Sequence, residues 1–268
     1  MLAKAKGIYH ERPIAGPLGI YFESLYIHRL PNSGPAEIVI VPDGTIDVQW
    51  LGGKLRVAGP DREPKTETLV TGATVIGFRF RPGSAAAWLG VPASEILNMR
   101  LPLEDLLGSR VLSLTEDASD ARDLVTLVER IERGLEELRP AAPSNDTTMA
   151  RAFELLSTGV PEGKLLTSWL TGTLALSQRT MRRRFEEAFG YGPTALNRIL
   201  RFQRFLRSID GISNASAGTL ALETGYADQA HLIRESQRLA GHTPREIGAQ
   251  FEGRYQTAMD LRDELYLR

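Results

Sequence analysis

Two stretches near the C-terminus repeat one another at an offset of 51 residues, and this repeat limits the fold more than any other feature. Superposing Ser177–Pro193 on Asp228–Pro244 pairs Ser177 with Asp228, Met181 with Leu232, Arg183 with Arg234, Gly190 with Gly241 and Pro193 with Pro244. Each copy opens on a residue able to cap a helix, runs for about three helical turns and stops at Gly-x-x-Pro. Upstream lie "TSWLTGTLAL" (Thr167–Leu176) and "TLALETGYA" (Thr219–Ala227), each a short apolar helix followed by a tight turn. Helix, turn and capped second helix, twice over, is the plan of two helix-turn-helix units. Between them "TALNRILRFQRFLRSID" (Thr194–Asp210) predicts one joining helix of roughly 24 Å.

Charge is concentrated in the first copy. From Ser177 to Arg207 there are eight arginines against Glu186 and Glu187, in a chain whose net charge is −1. At 100° per residue, Met181, Phe185, Ala188 and Phe189 share one face. Arg179, Arg182 and Arg183 lie together on the other side, and Arg184 falls on a flank closer to the buried face. An arginine-rich face is commonly just a solvated surface. Its place on the second helix of a helix-turn-helix unit, behind an N-cap, is what points to DNA. There side chains can enter the major groove, and guanidinium matches both phosphate and guanine O6/N7.

The stretches "LTGTLALSQRTMRRRFEEAFGYGP" and "LALETGYADQAHLIRESQRLAGHTP" resemble the AraC/XylS-type transcriptional regulators. The resemblance covers Met149 to Phe251 and implies an all-α domain of two helix-turn-helix subdomains reading neighbouring major-groove segments of double-stranded DNA. By position, the first recognition helix would present Gln178, Arg179, Arg182 and Arg183. The second would present Gln229, Ala230, Ile233 and Arg234, with His231 alongside. For Gln229 an adenine contact and a capping role, near the buried side, stay open, as do a phosphate contact and packing for His231. Ile233 would meet a thymine methyl or fill space. Two departures from the family stand out. Ala175 occupies the first turn where glycine is usual, and Ser236 stands where an aromatic is usual, as at Phe185. A small polar residue facing the core predicts weaker packing of the second unit, unless a neighbour such as Tyr226 fills the gap.

The N-terminal half has a different texture. "AEIVIVPDG", "TIDVQWL" and "ATVIGFRF" read as strands, with the Asp-Gly of "PDG" (42–44) expected to join two of them and a further hairpin expected at Gly52–Gly53. "VPDGTIDVQWLGGK" and "GFRFRPGSAAAWLGVPASEILNMRLPLEDLLG" resemble the regulatory half of one branch of the same family, which implies a β-rich, cupin-like sensor module followed by helices. Leu124, Leu127, Val128, Ile131 and Leu135 mark an amphipathic helix that would cover the sheet or pair with a second copy. Arg79 and Arg81, with Trp50 and Trp88, would line a pocket for an acidic or aromatic effector, or form a solvated strand face over core aromatics. Asp43 is expected to stabilise its turn, and Asp47 to face outward. His10 and His28 are isolated, so no metal site and no cofactor is expected.

The expected architecture is an α+β two-domain chain. Residues 1–140 would form the sensor with its C-terminal helix, 149–251 the DNA-binding domain, and 252–268 a tail. "PAAPSNDTT" (Pro140–Thr148) reads as a hinge. The absence of cysteine excludes disulfides and thiol catalysis. Nothing in the first residues reads as a signal peptide, and no apolar run suits a membrane. A cytoplasmic, non-enzymatic regulator is therefore expected, with RNA polymerase, a small-molecule effector and a second copy of the chain as partners beside DNA. The rival is an N-terminal enzyme or assembly module that the helix-turn-helix domain brings to DNA.

Overall fold

The computed structural model describes residues 7–33, 37–141, 145–209 and 217–252. Eight strands come first: β1 (Ile8–Pro13), β2 (Phe22–Arg29), β3 (Glu37–Ile40), β4 (Asp47–Leu51), β5 (Lys54–Ala58), β6 (Lys65–Thr68), β7 (Thr74–Phe80) and β8 (Arg100–Pro102). Six of them form an antiparallel sheet in the order β1-β2-β7-β4-β5-β8, and β3 pairs with β6 in a separate two-stranded sheet. Between and after the strands lie α1 (Ala85–Leu89), α2 (Glu104–Leu107), α3 (Arg110–Ser119) and α4 (Leu124–Leu138).

The β4–β5 hairpin turns where its sequence predicts. Gly52 and Gly53 both take positive φ, +59° and +80°, the backbone that a two-residue turn between twisted strands requires. The Asp-Gly turn at 43–44 is a correction. It joins β3 to β4, which lie in different sheets, so it is a crossover between layers and not a hairpin.

The large sheet is buried on both faces, and the two faces differ in kind. Val48, Trp50, Leu55, Val57, Ile76, Phe78 and Phe80 point into the main apolar core, with α1, α3 and α4 packed over it. The alternate residues Asp47, Gln49, Arg56, Val75 and Arg79 face β3 and β6 across a cavity. Strand alternation sends neighbours to opposite faces; the second layer then decides that the polar face is covered too. Asp47, expected outward, is therefore buried at 7% exposure. The amphipathic helix is α4, whose Val128, Ile131, Leu135 and Leu138 join the sheet's core.

The C-terminal half is helical: α5 (Thr147–Thr158), α6 (Leu166–Leu174), α7 (Gln178–Phe189), α8 (Pro193–Ile209), α9 (Ala217–Glu223), α10 (Gln229–Ala240) and α11 (Pro244–Glu252). The repeat is physical. Ser177 caps α7 by accepting the Thr180 N–H, Asp228 caps α10 by accepting the His231 N–H, and Gly190 and Gly241 end the two helices in the left-handed conformation. Pro193 and Pro244 open the helices that follow, where a missing N–H costs nothing. Ala175 ends α6 at φ +51°, so that turn is made without glycine, at a cost of about 1 kcal/mol.

The two halves touch. Val39, Val41 and Leu97 pack against the helical core. The Gln203 amide donates to the Pro42 carbonyl at 2.7 Å, and the Asp146 N–H donates to the Gly83 carbonyl at 3.2 Å. A Cβ at Gly190 would lie 2.9 Å from Pro60 Cγ and 3.0 Å from the Ala93 carbonyl oxygen, so the end of α7 seats directly on the N-terminal half. Residues 142–144 of the expected hinge, and the expected tail from residue 253 onward, lie outside the described residues.

Candidate nucleic-acid interface and sensor cavity

On α7 the expected faces are as the periodicity implies. Met181, Phe185, Ala188 and Phe189 are buried, while Gln178, Arg179, Arg182 and Arg183 are exposed. Arg182 and Arg183 are 77% and 70% exposed and, among the described residues, pair with Glu186 and Glu187 one turn on, at 2.9 and 3.3 Å. Such exposed pairs are worth about 0.3–0.5 kcal/mol, so a phosphate or a base edge can displace them cheaply.

Half of the arginine excess has another task. Arg184 bonds the Asp146 carboxylate that caps α5, with Nε at 3.1 Å from Oδ2. The Arg204 Nη1 donates to the Leu156 carbonyl at 2.8 Å, at the end of α5. Arg198 and Arg201 converge on Glu235 of α10 at 3.7 and 4.0 Å, and Arg201 also lies 4.6 Å from the centre of the Tyr226 ring. These four hold the helices to one another. Arg179, Arg182, Arg183 and Arg207 remain exposed. Glu235 escaped the sequence reading, although it occupies in the second copy the place of Arg184 in the first.

On α10, Gln229, Ala230 and Arg234 are exposed, and His231 and Ile233 are half-buried. Gln229 shares the helical phase of the buried residues but is exposed, as the first residue of α10, and Asp228 is the cap. His231 lies edge-on to Tyr226 at 5.2 Å, and its Nδ1 faces the Ala227 N–H at 3.5 Å, an arrangement of packing. Ser236 is fully buried beside Leu232 and Leu239, and its hydroxyl finds no protein partner among the described residues.

The cavity between the two sheets is about 240 Å³ and is closed on one side by Gln203, Leu206 and Arg207 of α8. The wall opposite the large sheet is largely apolar, from Ile38 to Val41 with Leu69, and carries Glu67 beside Ile38; the large sheet contributes Val75 and its polar and charged residues. Arg79 stands opposite Asp47 in register, with Nε 3.3 Å from Asp47 Oδ1, and reaches Asp43 at 3.3 Å and Glu11 at 3.4 Å. The Tyr26 hydroxyl donates to Asp47 Oδ2 at 2.9 Å and accepts from the Gln49 amide at 2.7 Å. Burial pushes the Asp47 carboxyl above its ordinary pKa. Arg79 opposes that shift and neighbouring Asp43 adds to it. Further along, Arg100 binds Asp61 through two nitrogens, at 3.1 and 2.6 Å, and Glu67 at 2.9 Å, while Arg56 binds Glu67 at 2.8 Å. Glu67 is held below the usual carboxylate range by Arg56 and Arg100, against its burial.

Of the four residues expected to line an effector pocket, only Arg79 reaches this cavity. Trp50 points to the opposite face of the sheet, and Trp88 packs 5.5 Å from both Phe22 and Phe80 in the main core. Arg81 follows the end of β7 and donates to the Gly19 carbonyl at 2.5 Å. Asp43 does hold its turn, accepting from the Thr45 N–H and hydroxyl at 3.0 and 2.7 Å. Among the described residues no group of three or more His, Cys, Asp or Glu is placed to hold a metal ion, and no helix is long and apolar enough to cross a membrane.

Two segments of the chain match known families. Residues 170–250 match the family described as "Helix-turn-helix domain", and residues 15–102 match "Domain of unknown function (DUF6597)". No curated protein sequence matches the chain. Among solved structures, it is similar to a probable AraC family transcriptional regulator from Rhodopseudomonas palustris, with 21% identity over 40% of this chain and 98% of that one, at a TM-score of 0.35. It is also similar to an apo point variant of ToxT from Vibrio cholerae, with 8% identity over 90% of this chain and all of that one, at a TM-score of 0.49. ToxT bound to an unsaturated fatty acid aligns with 10% identity over 91% of this chain and 95% of that one, at a TM-score of 0.43.

Proposed function

From the premise that residues 170–250 are an AraC-type helix-turn-helix domain, we propose that this chain is a sequence-specific DNA-binding transcriptional regulator whose N-terminal half senses a small molecule. The observation that carries the reading is the pair of capped helices α7 and α10, each with a buried apolar stripe and an exposed polar face, joined by the single helix α8. Gln178, Arg179, Arg182 and Arg183 would read one major-groove segment; Gln229, Ala230, Ile233 and Arg234, flanked by His231, would read the next.

The sensing half of the proposal is supported by the cavity wall that α8 supplies. An occupant would touch Gln203, Leu206 and Arg207, on the helix that sets the spacing of the two reading heads. A ligand shifts such an equilibrium only by preferring one arrangement over another, and a ligand in contact with α8 has the means to do so.

Selection of random duplexes by the full-length protein, followed by salt-dependent binding to the winner, tests the DNA claim. Two short motifs about one helical turn, ~34 Å, apart with a steep salt slope are expected. Enrichment of a single motif would remove the second unit from the reading, and salt-insensitive binding without enrichment would sink it.

A further inference from the structure

The turn at 42–45 touches both the cavity and the helical half, and its residues face different ways. The Pro42 carbonyl accepts from the Gln203 amide of α8 at 2.7 Å. The Asp43 carboxylate lines the cavity and reaches Arg79 at 3.3 Å. Gly44, at φ +82°, seats on the helices, where a Cβ would lie 3.0 Å from Leu196 Cδ1 and 3.2 Å from Phe153 Cε2. Thr45 closes the turn by donating its N–H and its hydroxyl to Asp43. A turn locked by its own aspartate carries its neighbours along when that side chain moves.

The receiving element is α8, and it has two working faces. At 100° per residue, Leu196, Leu200, Gln203 and Arg207 form one stripe, and this stripe bears Gly44, Pro42 and the edge of the cavity. Arg198 and Arg201 lie on the opposite face and reach Glu235 of α10 at 3.7 and 4.0 Å. The first reading helix is mounted differently. Its packing runs along Ala93–Ile96, and its end at Gly190 lies against Pro60 and Ala93 of the N-terminal half.

We infer that the turn at 42–45 is a relay: it converts a change at Asp43 in the cavity into a movement of α8 that carries α10 relative to α7. The inference rests on the reading of the N-terminal half as a sensor and names the route by which that half acts. The first unit stays with the sensor, because α7 is seated on it; the second follows α8, because Arg198 and Arg201 fasten α10 to the far side of that helix. Close-packed elements shift as units and do not deform smoothly. An occupant that draws on Asp43 or Arg79 therefore alters the separation of the two reading helices, on which recognition of two neighbouring major-groove segments depends.

The test is pulsed dipolar spectroscopy on the full chain, which contains no cysteine, so nitroxides on introduced cysteines are unique. Glu129→Cys on α4 with Gln237→Cys on α10 reads the sensor half against the second unit. Glu129→Cys with Thr173→Cys on α6 reads it against the first; all three positions are exposed. Gly44→Ala and Asp43→Asn should each shift the 129–237 distance and leave the 129–173 distance in place. Gly53→Ala, at a glycine of similar φ, +80°, with open space around it, should shift neither. Gln203→Leu, which removes the donor to Pro42, should act like Gly44→Ala and takes its place if that variant fails to fold. Absence of the shift on either side of the turn, or equal shifts in both pairs, overturns the inference. Wild-type titration with the selected duplex is run alongside: absent DNA binding rejects the regulator reading, whereas the distances judge the relay alone.

Discussion

Arg79 on β7 and Asp47 on β4 are partners in register, Nε to Oδ1 at 3.3 Å, with Asp47 buried and the Arg79 side chain 13% exposed beneath a second sheet. Their pairing organises the polar face of the large sheet, because Arg79 also gathers Asp43 and Glu11. Replacing Arg79 by Met keeps the length of the side chain and removes its charge, leaving three carboxylates crowded together. Removing one partner from a buried pair costs about 3–5 kcal/mol. Arg79→Met should lower stability by that order in denaturant titration, whereas Arg12→Met, at a half-exposed pair with Glu132, should change it by less than ~1 kcal/mol.

Glu67 supplies a pH test with a defined sign. Arg56 and Arg100 hold its carboxyl below the ordinary value of 4.5, so the folded chain binds this proton less readily than the unfolded chain. The stabilisation is present above pH 4.5 and is lost as pH falls through the folded-state value. Glu67→Gln should therefore destabilise the protein at pH 7, and its difference from wild type should shrink progressively below about pH 4.5. Asp61, whose carboxyl is raised by burial, responds in the opposite sense and shares Arg100 with Glu67, so the comparison is repeated in an Asp61→Asn background to isolate Glu67. A difference independent of pH would show that the ion pairs of Glu67 are not its contribution.

For DNA, Arg183 is the sharper probe of α7. It is 70% exposed and, among the described residues, pairs with Glu187, so Arg183→Ala should leave the melting temperature unchanged. Binding to a selected duplex should weaken by about 1–3 kcal/mol, with relaxed base preference at one position. Arg184→Ala should behave in reverse, lowering stability through loss of Asp146, because this side chain faces α5. Equal effects of the two substitutions on DNA affinity would contradict this division of labour.

Ser236 tests the second unit. Its hydroxyl is wholly buried without a protein partner among the described residues, and an unsatisfied buried hydroxyl costs about 1–3 kcal/mol. Ser236→Ala removes that cost with little change in volume. Thermal unfolding should show a melting temperature raised by a few degrees, with DNA affinity retained. A lower melting temperature would mean that the hydroxyl does find a partner.

The helical half was legible because its signals are short-range. Caps at Ser177 and Asp228, the stops at Gly190 and Gly241, and the apolar stripe of Met181, Phe185, Ala188 and Phe189 all act within a turn or two of their own backbone. The recurrence of that pattern, together with the family resemblance, carried the reading to two helix-turn-helix units. The charge tally was read less well. Apart from Arg184, which its helical phase put nearer the buried face, the eight arginines looked alike in the sequence, but four of them hold helices together, through partners as distant in the chain as Asp146 and Glu235.

In the N-terminal half the alternation of strands told which residues share a face, and the Gly-Gly turn located a hairpin. It could not tell what lies against each face. Trp50 and Arg79 looked like pocket companions, yet they point to opposite sides of one sheet; Asp47 looked solvated, yet a second sheet covers it. Period and capping are properties of neighbouring residues, and the sequence by itself determined them. Which polar face is sealed, and which helix closes the cavity, only the tertiary structure decided, because burial depends on contacts between segments such as β4, β7 and α8 that are far apart in the chain.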